Sequence, residues 1–250
     1  MNAYTSFAQV YDTFMDNIPY KEGAEYIHRL LWEHGIENGL LAELGCGTGT
    51  LTEYLAEYGY DMIGIDNSSE MLEAAQEKRI SSGHDILYLQ QDMREFELYG
   101  TVRGIISFCD SLNYILEPEE LFRVFKLVNN YLDPKGCFLF DFHTPYYYKE
   151  ELGEATFAEA RDTMSFIWDN YYDEETGINE YLLTLFIQEE SGFYRRFEEE
   201  HFQRGYELSE IKSLLAKAGL TFLAAYDELS LNPPRTNSAR IHVLAQECGK

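Results

Sequence analysis

The sequence predicts an α/β protein with a doubly wound, mostly parallel sheet of seven strands and a small inserted antiparallel sheet. Two patterns support this prediction. Before residue 145, helical periodicity alternates with short apolar runs that are too continuous for strands with one solvated face. Residues 155–204 change to aromatic-rich alternating stretches joined by short turns. The 250 residues, of which 45% are apolar, are enough for one large domain with such an insertion.

Each element before residue 145 has its own local signal. Helices are predicted where apolar side chains recur every three or four residues, and strands where a short run is apolar throughout. In chain order the predicted elements are a helix at 22–34, a strand at 40–44, a helix at 50–58, a strand at 61–65, a helix over 71–79 after a start signal at 67–70, strands at 86–89 and 105–109, a helix at 118–132 and a strand at 137–142. Ligands of such sheets lie beyond the carboxyl ends of the strands. The segments at those ends are 45–49, Asp66, Asp92, 109–110 and 141–143.

The second part of the chain predicts the insertion and the end of the main sheet. Residues 155–204 indicate an antiparallel sheet of about three strands, with DEETG and SG as turns. Helical spacing returns at 208–218, and the runs TFLAAYDEL and IHVLAQE predict two final strands. We expect residues 1–144 and 205–250 to form the main domain and 145–204 an inserted subdomain. The insertion would be a lid beside the ligand face, or a plain structural or dimerisation sheet.

Composition narrows the class of partner. The formal net charge of −25 disfavours nucleic acid and anionic membrane surfaces. The sequence holds no run of 18 apolar residues and no basic stretch before an apolar run at its start, so neither a membrane span nor a signal peptide is expected. The four separated cysteines form no CxxC pair, which predicts a reduced cytoplasmic protein without a metal site. A monomer and a homodimer both remain open.

The glycine-rich turn LAELGCGTG at 41–49 indicates a ligand that the backbone approaches closely. It reads G-x-G-x-G, so the third glycine of the dinucleotide fingerprint is missing, and no lysine follows as in a phosphate-binding loop. The acidic Glu43 precedes the first glycine by two residues. A carboxylate there would repel a pyrophosphate and pair with an ammonium group. The turn therefore favours a ligand with a cation and a ribose.

With these motifs the sequence resembles the class I S-adenosylmethionine-dependent methyltransferases, over about residues 36–145 and the last two strands. The matching residues are 43–49, Asp66 after the second strand and 91–93 after the third. The resemblance implies a Rossmann-like methyltransferase fold and S-adenosylmethionine as cofactor. It implies that Glu43 contacts the methionine ammonium, Asp66 the ribose hydroxyls and Asp92 the adenine amino group. The other residues that it places at the cofactor are Tyr20, Gly45, Cys46, Gly47, Gly49, Asn67, Met71, Met93, Cys109 and Asp110, although Met71 could equally be a core residue.

Aromatic and histidine residues are candidates for the acceptor end. VYDTFM at 10–15 with Tyr20 resembles the start of small-molecule N-methyltransferases, including the sugar-amine dimethylating group, in which this segment closes over the cofactor. The candidates in the N-terminal part of the chain are Tyr4, Phe7, Tyr11, Asp12 and Tyr20, and aromatic rings there could cap the sulfonium by cation–π contact. We predict catalytic roles for Tyr11, His143 and His201, with Arg204 as a partner of His201. The alternatives are helix packing for Tyr11 and structural hydrogen bonds for the histidines.

These observations predict a methyltransferase that acts on a nitrogen or oxygen atom of a small-molecule acceptor. An RNA or protein methyltransferase and a non-catalytic S-adenosylmethionine-binding protein remain as alternatives, because the glycine turn is compatible with all three classes.

Overall fold

The computed structural model describes residue 8 and residues 10–250 of the chain. The candidate aromatic residues Tyr4 and Phe7 lie outside these described residues. The described chain forms a sheet of seven strands and a sheet of four strands. Among the described helices, none combines the length and apolar character needed to cross a bilayer.

The larger sheet confirms the predicted doubly wound arrangement. Its strands are β1 (Gly39–Leu44), β2 (Tyr60–Asp66), β3 (Ile86–Gln90), β4 (Val102–Ser107), β5 (Leu132–His143), β10 (Leu220–Asp227) and β11 (Arg240–Glu247). They lie in the order β10-β11-β5-β4-β1-β2-β3. The first five pair with one another in parallel, whereas β11 is antiparallel to both β5 and β10. The order reverses between β1 and β4, so the ligand position expected for such sheets lies beyond the ends of these two strands.

Helices cover both faces of this sheet. They are α2 (Tyr20–Glu33), α3 (Thr50–Glu57), α4 (Ser69–Ser82), α5 (Pro118–Tyr131) and α6 (Leu208–Ala218), while the short α1 (Tyr11–Phe14) packs against the sheet of four strands. Side chains of α5 and α6 pack into one apolar cluster with Ala42 and Leu44 of β1. Side chains of α2, α3 and α4 pack into another with Leu41. Since β1 is buried on both faces, its apolar residues do not alternate with polar ones.

The fourth strand ends earlier than the sequence predicts. We expected residues 105–109, but β4 stops at Ser107. Cys109 and Asp110 have φ angles of 57° and 51°, which turn the chain into a short 3-10 helix at Ser111–Tyr114. This left-handed pair carries no glycine that would mark it in the sequence. The expectation that the strand includes Cys109 is therefore wrong.

The smaller sheet contains four antiparallel strands instead of about three. They are β6 (Thr156–Ala160), β7 (Met164–Asp173), β8 (Ile178–Gln188) and β9 (Tyr194–Arg204), in that spatial order. The additional strand arises because the stretch that looked continuous bends at residues 161–163, where the Arg161 amide donates to the Met164 carbonyl at 2.8 Å. Neither glycine nor proline marks this turn.

The first helix packs against the smaller sheet. Val10 and Phe14 form a buried cluster with Leu183 and Leu185 of β8. Just after α1, Asp16 makes a two-point ion pair with Arg161, with N–O distances of 2.7 and 3.0 Å. Residues 10–16 are therefore attached to the inserted sheet by apolar and ionic contacts. The division of the chain into domains at residues 144 and 205 stays a prediction.

Candidate active site

The glycine turn between β1 and α3 has three left-handed glycines with different surroundings. Gly45, Gly47 and Gly49 have φ angles of 71°, 53° and 73°. A Cβ atom at Gly45 would lie 2.6 Å from Cβ of Ser111, and one at Gly49 would lie 2.3 Å from the Tyr88 hydroxyl. A Cβ atom at Gly47 would meet nothing within 4 Å. Two glycines thus permit close packing, and the third leaves open space beside the backbone.

A cavity of about 520 Å³ lies next to this turn, at the carboxyl ends of β1 to β4. Most of the residues predicted to hold the cofactor line it. They are Tyr20, Glu43, Gly45, Cys46, Gly47, Asp66, Asn67, Met71, Asp92, Met93 and Cys109. Tyr11 lines it as well. Four predicted site residues are not among those that line it: Gly49, Asp110, His143 and His201.

Glu43 contributes a buried carboxylate to the cavity wall. Its side chain is 3% exposed and accepts a hydrogen bond of 2.5 Å from the Thr52 hydroxyl. Burial raises the pKa of Glu43 to about 8, with the Thr52 bond opposing this shift and the nearby Asp66 adding to it. Because a buried carboxylate of this kind is stabilised by a cation, an ammonium group fits this wall of the cavity.

Asp66, at the end of β2, holds the glycine turn in place. One carboxylate oxygen accepts from the Gly47 amide at 2.8 Å, and the other accepts from the Ser68 amide at 2.9 Å. Each oxygen can accept a second hydrogen bond, so the carboxylate can also receive two hydroxyl groups of a ligand. The net effect of burial is to raise the pKa of Asp66, although the amide bonds oppose it.

Asp92, which follows β3, is fixed by an arginine. Arg94 forms an ion pair with it at 2.6 Å and reaches Glu120 at 3.2 Å. The hydrogen bonds from Arg94 lower the pKa of Asp92, so the carboxylate stays ionised. It faces the cavity near Met93 and Met71. Met71 lies in the first turn of α4, and the Ser68 hydroxyl caps this helix by accepting from the Met71 amide at 3.2 Å.

Two tyrosines also line the cavity. The hydroxyl groups of Tyr11 and Tyr20 are 3.4 Å apart. Burial, with a further contribution from Cys109, raises the pKa of Tyr20 well above its usual value. Next to Tyr11, Asp12 accepts from the Thr48 hydroxyl at 2.6 Å and pairs with Lys78 at 2.6 Å. These contacts attach α1 to the glycine turn.

His143 and Asp110 belong to a buried charged cluster beside the cavity. Arg240 donates from one guanidinium nitrogen to Asp110 and to Nε2 of His143, each at 2.7 Å. Its other nitrogen donates to Asp141. Burial and Arg240 lower the pKa of His143. A neutral ring that accepts at Nε2 has its proton on Nδ1, which lies 3.3 Å from the Ala239 carbonyl.

Asp110 stays ionised in this cluster. Burial raises the pKa of its carboxyl, but the Arg240 guanidinium opposes that effect most strongly and the pKa lies well below the usual value. Asp110 is thus unsuited to act as a general base near neutral pH. His143 is 6% exposed and uses both ring nitrogens inside the cluster. The structure therefore places this predicted catalytic histidine beside the cavity wall and not in it.

His201 reaches the cavity through a second residue. Its Nδ1 lies 3.3 Å from the hydroxyl of Tyr114, which lines the cavity and also lies 2.9 Å from the Tyr181 hydroxyl. The His201 ring stacks on Tyr181 with 5.2 Å between ring centroids. The predicted partnership of His201 with Arg204 is wrong, because residues three apart in β9 point to opposite faces. Arg204 instead pairs with Glu210 at 3.1 Å.

Sequence reasoning missed Arg240 and Gln203. Arg240 is the first residue of β11 and lies opposite His143 in the register of β5 and β11. Gln203 of β9 donates to Asp110 at 2.8 Å. A signal for Arg240 exists, since an arginine directly before the apolar run IHVLA is unusual at the start of a buried strand. Gln203 lies in a polar stretch of an alternating strand and carries no such signal.

Comparison with known proteins agrees with this geometry. Residues 41–136 match the family model of a methyltransferase domain. YqeM of Bacillus subtilis, which carries the name of a methyltransferase, is 35% identical over 247 residues, covering 98% of this chain and 97% of YqeM. An S-adenosylmethionine-dependent methyltransferase from Clostridium acetobutylicum has a crystal structure that is 30% identical, with a TM-score of 0.88 and coverage of 99% and 100%.

A further relative carries a more specific name. The dTDP-3-amino-3,4,6-trideoxy-alpha-D-glucopyranose N,N-dimethyltransferase of Streptomyces venezuelae is 29% identical over 149 residues, which is 59% of this chain and 60% of that protein. This match is partial, whereas YqeM and the Clostridium protein match along nearly their whole lengths. By these similarities and by its fold, the chain belongs to the S-adenosylmethionine-dependent methyltransferase family.

Proposed function

We propose that this protein transfers a methyl group from S-adenosylmethionine to a nitrogen or oxygen atom of a small-molecule acceptor. The observation that carries the proposal is Glu43, a buried carboxylate of raised pKa in the cavity wall. Among the described residues, its hydrogen-bond partner is the neutral hydroxyl of Thr52. A ligand with an ammonium group would supply the missing positive charge, as the methionine part of S-adenosylmethionine does.

The other cavity residues suit the remaining parts of this cofactor. Asp66 keeps free acceptor positions for two ribose hydroxyls. The open side of Gly47 admits a ligand close to the backbone. Asp92, held ionised by Arg94, accepts from the adenine amino group. When bound, S-adenosylmethionine supplies a methyl group that its sulfonium already activates.

The part of the cavity wall that Tyr11 and Tyr20 form then orients the acceptor and excludes water. Tyr20 keeps its proton because burial raises its pKa, so its hydroxyl can donate a hydrogen bond. Tyr11 lies within 3.4 Å of that hydroxyl, and Cys109 and Tyr114 complete the wall. Orientation alone can lower a barrier by about 7–11 kcal/mol in favourable systems. We propose that Tyr11 contributes to catalysis by helping to align the acceptor in this way.

Charge supports a small-molecule acceptor over RNA. The cavity lining includes four carboxylates, Glu43, Asp66, Glu70 and Asp92, and one cationic side chain, Arg94. With a net charge of −25 on the whole chain, a polyphosphate backbone would be repelled. The name of the Streptomyces venezuelae relative, a sugar N,N-dimethyltransferase, also favours a small molecule.

The smaller sheet and the N-terminal segment (residues 10–20) would together form the lid of the acceptor pocket. The segment contacts the smaller sheet through Phe14 and the glycine turn through Asp12. The smaller sheet reaches the cavity through His201 and Tyr114. We assign to His201 the role of holding the Tyr114 hydroxyl at the wall. This arrangement supports the proposed division into a main domain and an insertion at 145–204.

Transfer from labelled S-adenosylmethionine tests the function. The protein is incubated with methyl-labelled cofactor and separate pools of metabolites, tRNA and proteins, with Asp66→Asn as the control variant. We expect label in the metabolite pool and much less with the variant. Label in tRNA or protein would overturn the acceptor class. Calorimetry with S-adenosylhomocysteine, NAD and ATP tests the cofactor alone, and tight NAD binding without S-adenosylhomocysteine binding would overturn its assignment.

A further inference from the structure

The turn after β4 has an uncommon backbone and forms part of the cavity wall. Cys109 and Asp110 are consecutive left-handed residues, a conformation that non-glycine residues hold only where their surroundings impose it. Cys109 and Ser111 line the cavity. Ser111 also packs against Gly45, because a Cβ atom there would lie 2.6 Å from the Ser111 Cβ. A shift of this turn would therefore move two parts of the wall together.

Arg240 links the groups that hold the turn. The backbone amide of Asp110 donates to Oδ2 of Asp141 at 3.1 Å. Arg240 donates to the same Asp141 oxygen with Nη1 and to the Asp110 carboxylate with Nη2, the latter at 2.7 Å. The guanidinium fork thus joins the side chain of Asp110 to the acceptor of its own amide. Gln203 of the smaller sheet holds the second Asp110 oxygen at 2.8 Å.

The charges explain why an arginine is needed here. The Asp141 side chain is 0% exposed, and those of Asp110 and Arg240 are only 21% and 23% exposed. Without the guanidinium, two neighbouring carboxylates would be left in a largely buried place with no cation between them. A lysine carries one point charge and cannot bridge both carboxylates in the geometry of a fork. Neither Arg240 nor Asp110 is among the cavity-lining residues, so Arg240 acts through the turn.

We propose that Arg240 is a positioning residue of the cofactor cavity, which holds the Cys109–Asp110 turn in its left-handed conformation through Asp110 and Asp141. The inference rests on the proposed function in one respect, namely that this cavity binds S-adenosylmethionine and S-adenosylhomocysteine. When the turn is released, only the fraction of molecules with the turn in place binds the ligand. The apparent dissociation constant then rises by the inverse of that fraction.

Hydrogen exchange and calorimetry with S-adenosylhomocysteine test this proposal on the full-length chain. In Arg240→Met, we expect only about one molecule in ten to hold the turn, so the amides of residues 108–114 should lose most of their exchange protection and the dissociation constant should rise about tenfold, which is about 1.4 kcal/mol. Saturating S-adenosylhomocysteine should return the exchange towards the wild-type rate. A purely structural role would lower the melting temperature without this ligand-dependent recovery. Residues 137–140 of β5, which do not include the Arg240 partner Asp141, report whether a change is global.

Two further variants keep the test decisive. Arg240→Lys retains the positive charge, so exchange at residues 108–114 can be measured in this variant even if Arg240→Met does not fold. We expect the exchange rate and the dissociation constant to rise less than in Arg240→Met. Arg235→Met is the control. It removes an arginine outside the turn whose ion pair with Asp227 is 2.8 Å long, and this variant should behave as wild type. Wild-type exchange at 108–114 in the Arg240 variants would overturn the proposal, as would faster exchange with an unchanged dissociation constant. Failure of the wild-type chain to bind S-adenosylhomocysteine would count against the proposed function, while the exchange rates would still decide whether Arg240 holds the turn.

Discussion

Replacing Glu43 with glutamine should stabilise the ligand-free protein. Burial raises the pKa of Glu43 from 4.5 to about 8. Because the folded pKa lies above the ordinary value, the folded chain binds more protons than the unfolded chain between these values, and stability falls as the pH rises through this window. Each pH unit in the window is worth about 1.4 kcal/mol, so near pH 7 the carboxyl lowers the free energy of unfolding by about 3 kcal/mol. Glutamine keeps an oxygen that accepts from Thr52 and carries no charge.

Urea unfolding, followed by circular dichroism at several pH values, measures this effect. The Glu43→Gln variant should exceed the wild type by about 3 kcal/mol near pH 7 and by less than about 1 kcal/mol near pH 5. Glu57→Gln is the matched control, since Glu57 lies on the exposed side of α3. A stability difference that does not grow with pH would refute the reasoning that burial of the charge destabilises the fold.

The same substitution should weaken cofactor binding. If Glu43 pairs with the methionine ammonium, glutamine removes a charged hydrogen bond worth about 1.5–3 kcal/mol, which corresponds to about 10-fold to 150-fold in the dissociation constant. Calorimetry with S-adenosylhomocysteine measures this loss. A variant that is more stable and binds less tightly would show that Glu43 is kept for binding at the expense of stability. Unchanged affinity would place the ammonium elsewhere.

Three other changes test separate parts of the site and the core. Asp66→Asn should weaken S-adenosylhomocysteine binding in calorimetry, whereas Asp61→Asn on the exposed part of the same strand should not. An equal loss of affinity in both variants would contradict the proposed contact of Asp66 with the ribose. Burial lowers the pKa of His242 from 6.5 to about 4, so the unfolded chain binds more protons in this window and stability is lost as the pH falls through it. His242→Phe should flatten that acid loss in thermal melts, and an unchanged slope would contradict this assignment. Amides of residues 10–20 should gain exchange protection when S-adenosylhomocysteine binds, and equal protection with and without the ligand would show that this segment is fixed structure. Tyr11→Phe should lower turnover without lowering the melting temperature.

The cofactor residues were the most predictable part of the site. Glu43 and Asp66 lie at the ends of strands whose observed bounds differ from the predicted ones by at most one residue. The glycine turn joins consecutive elements, so its position follows from local sequence alone. In a parallel sheet the strand ends meet at one edge, and this rule brings Asp92 to the same cavity.

Predictions that needed contacts between distant segments were less successful. The additional strand β6 is separated from β7 by a turn at residues 161–163 that no glycine or proline marks. The left-handed pair Cys109–Asp110 is imposed by Asp141 and Arg240, which lie 31 and 130 residues from Asp110 along the chain. Local sequence carries no record of such contacts. The pairing of His201 with Arg204, in contrast, could have been rejected from strand alternation alone.

The histidine at the end of β5 shows why the edge of a sheet is easier to predict than the face. The topology rule places His143 at the ligand edge, but successive side chains of a strand point to opposite faces. Phe140 and Phe142 point into the apolar cluster with α5, and Asp141 and His143 point to the side on which Arg240 lies. Only the register of β5 with β11 determines that an arginine stands opposite His143 and occupies its Nε2. Cofactor contacts that come from turns at the sheet edge therefore follow from the sequence, whereas contacts that depend on a face require the pairing of the strands.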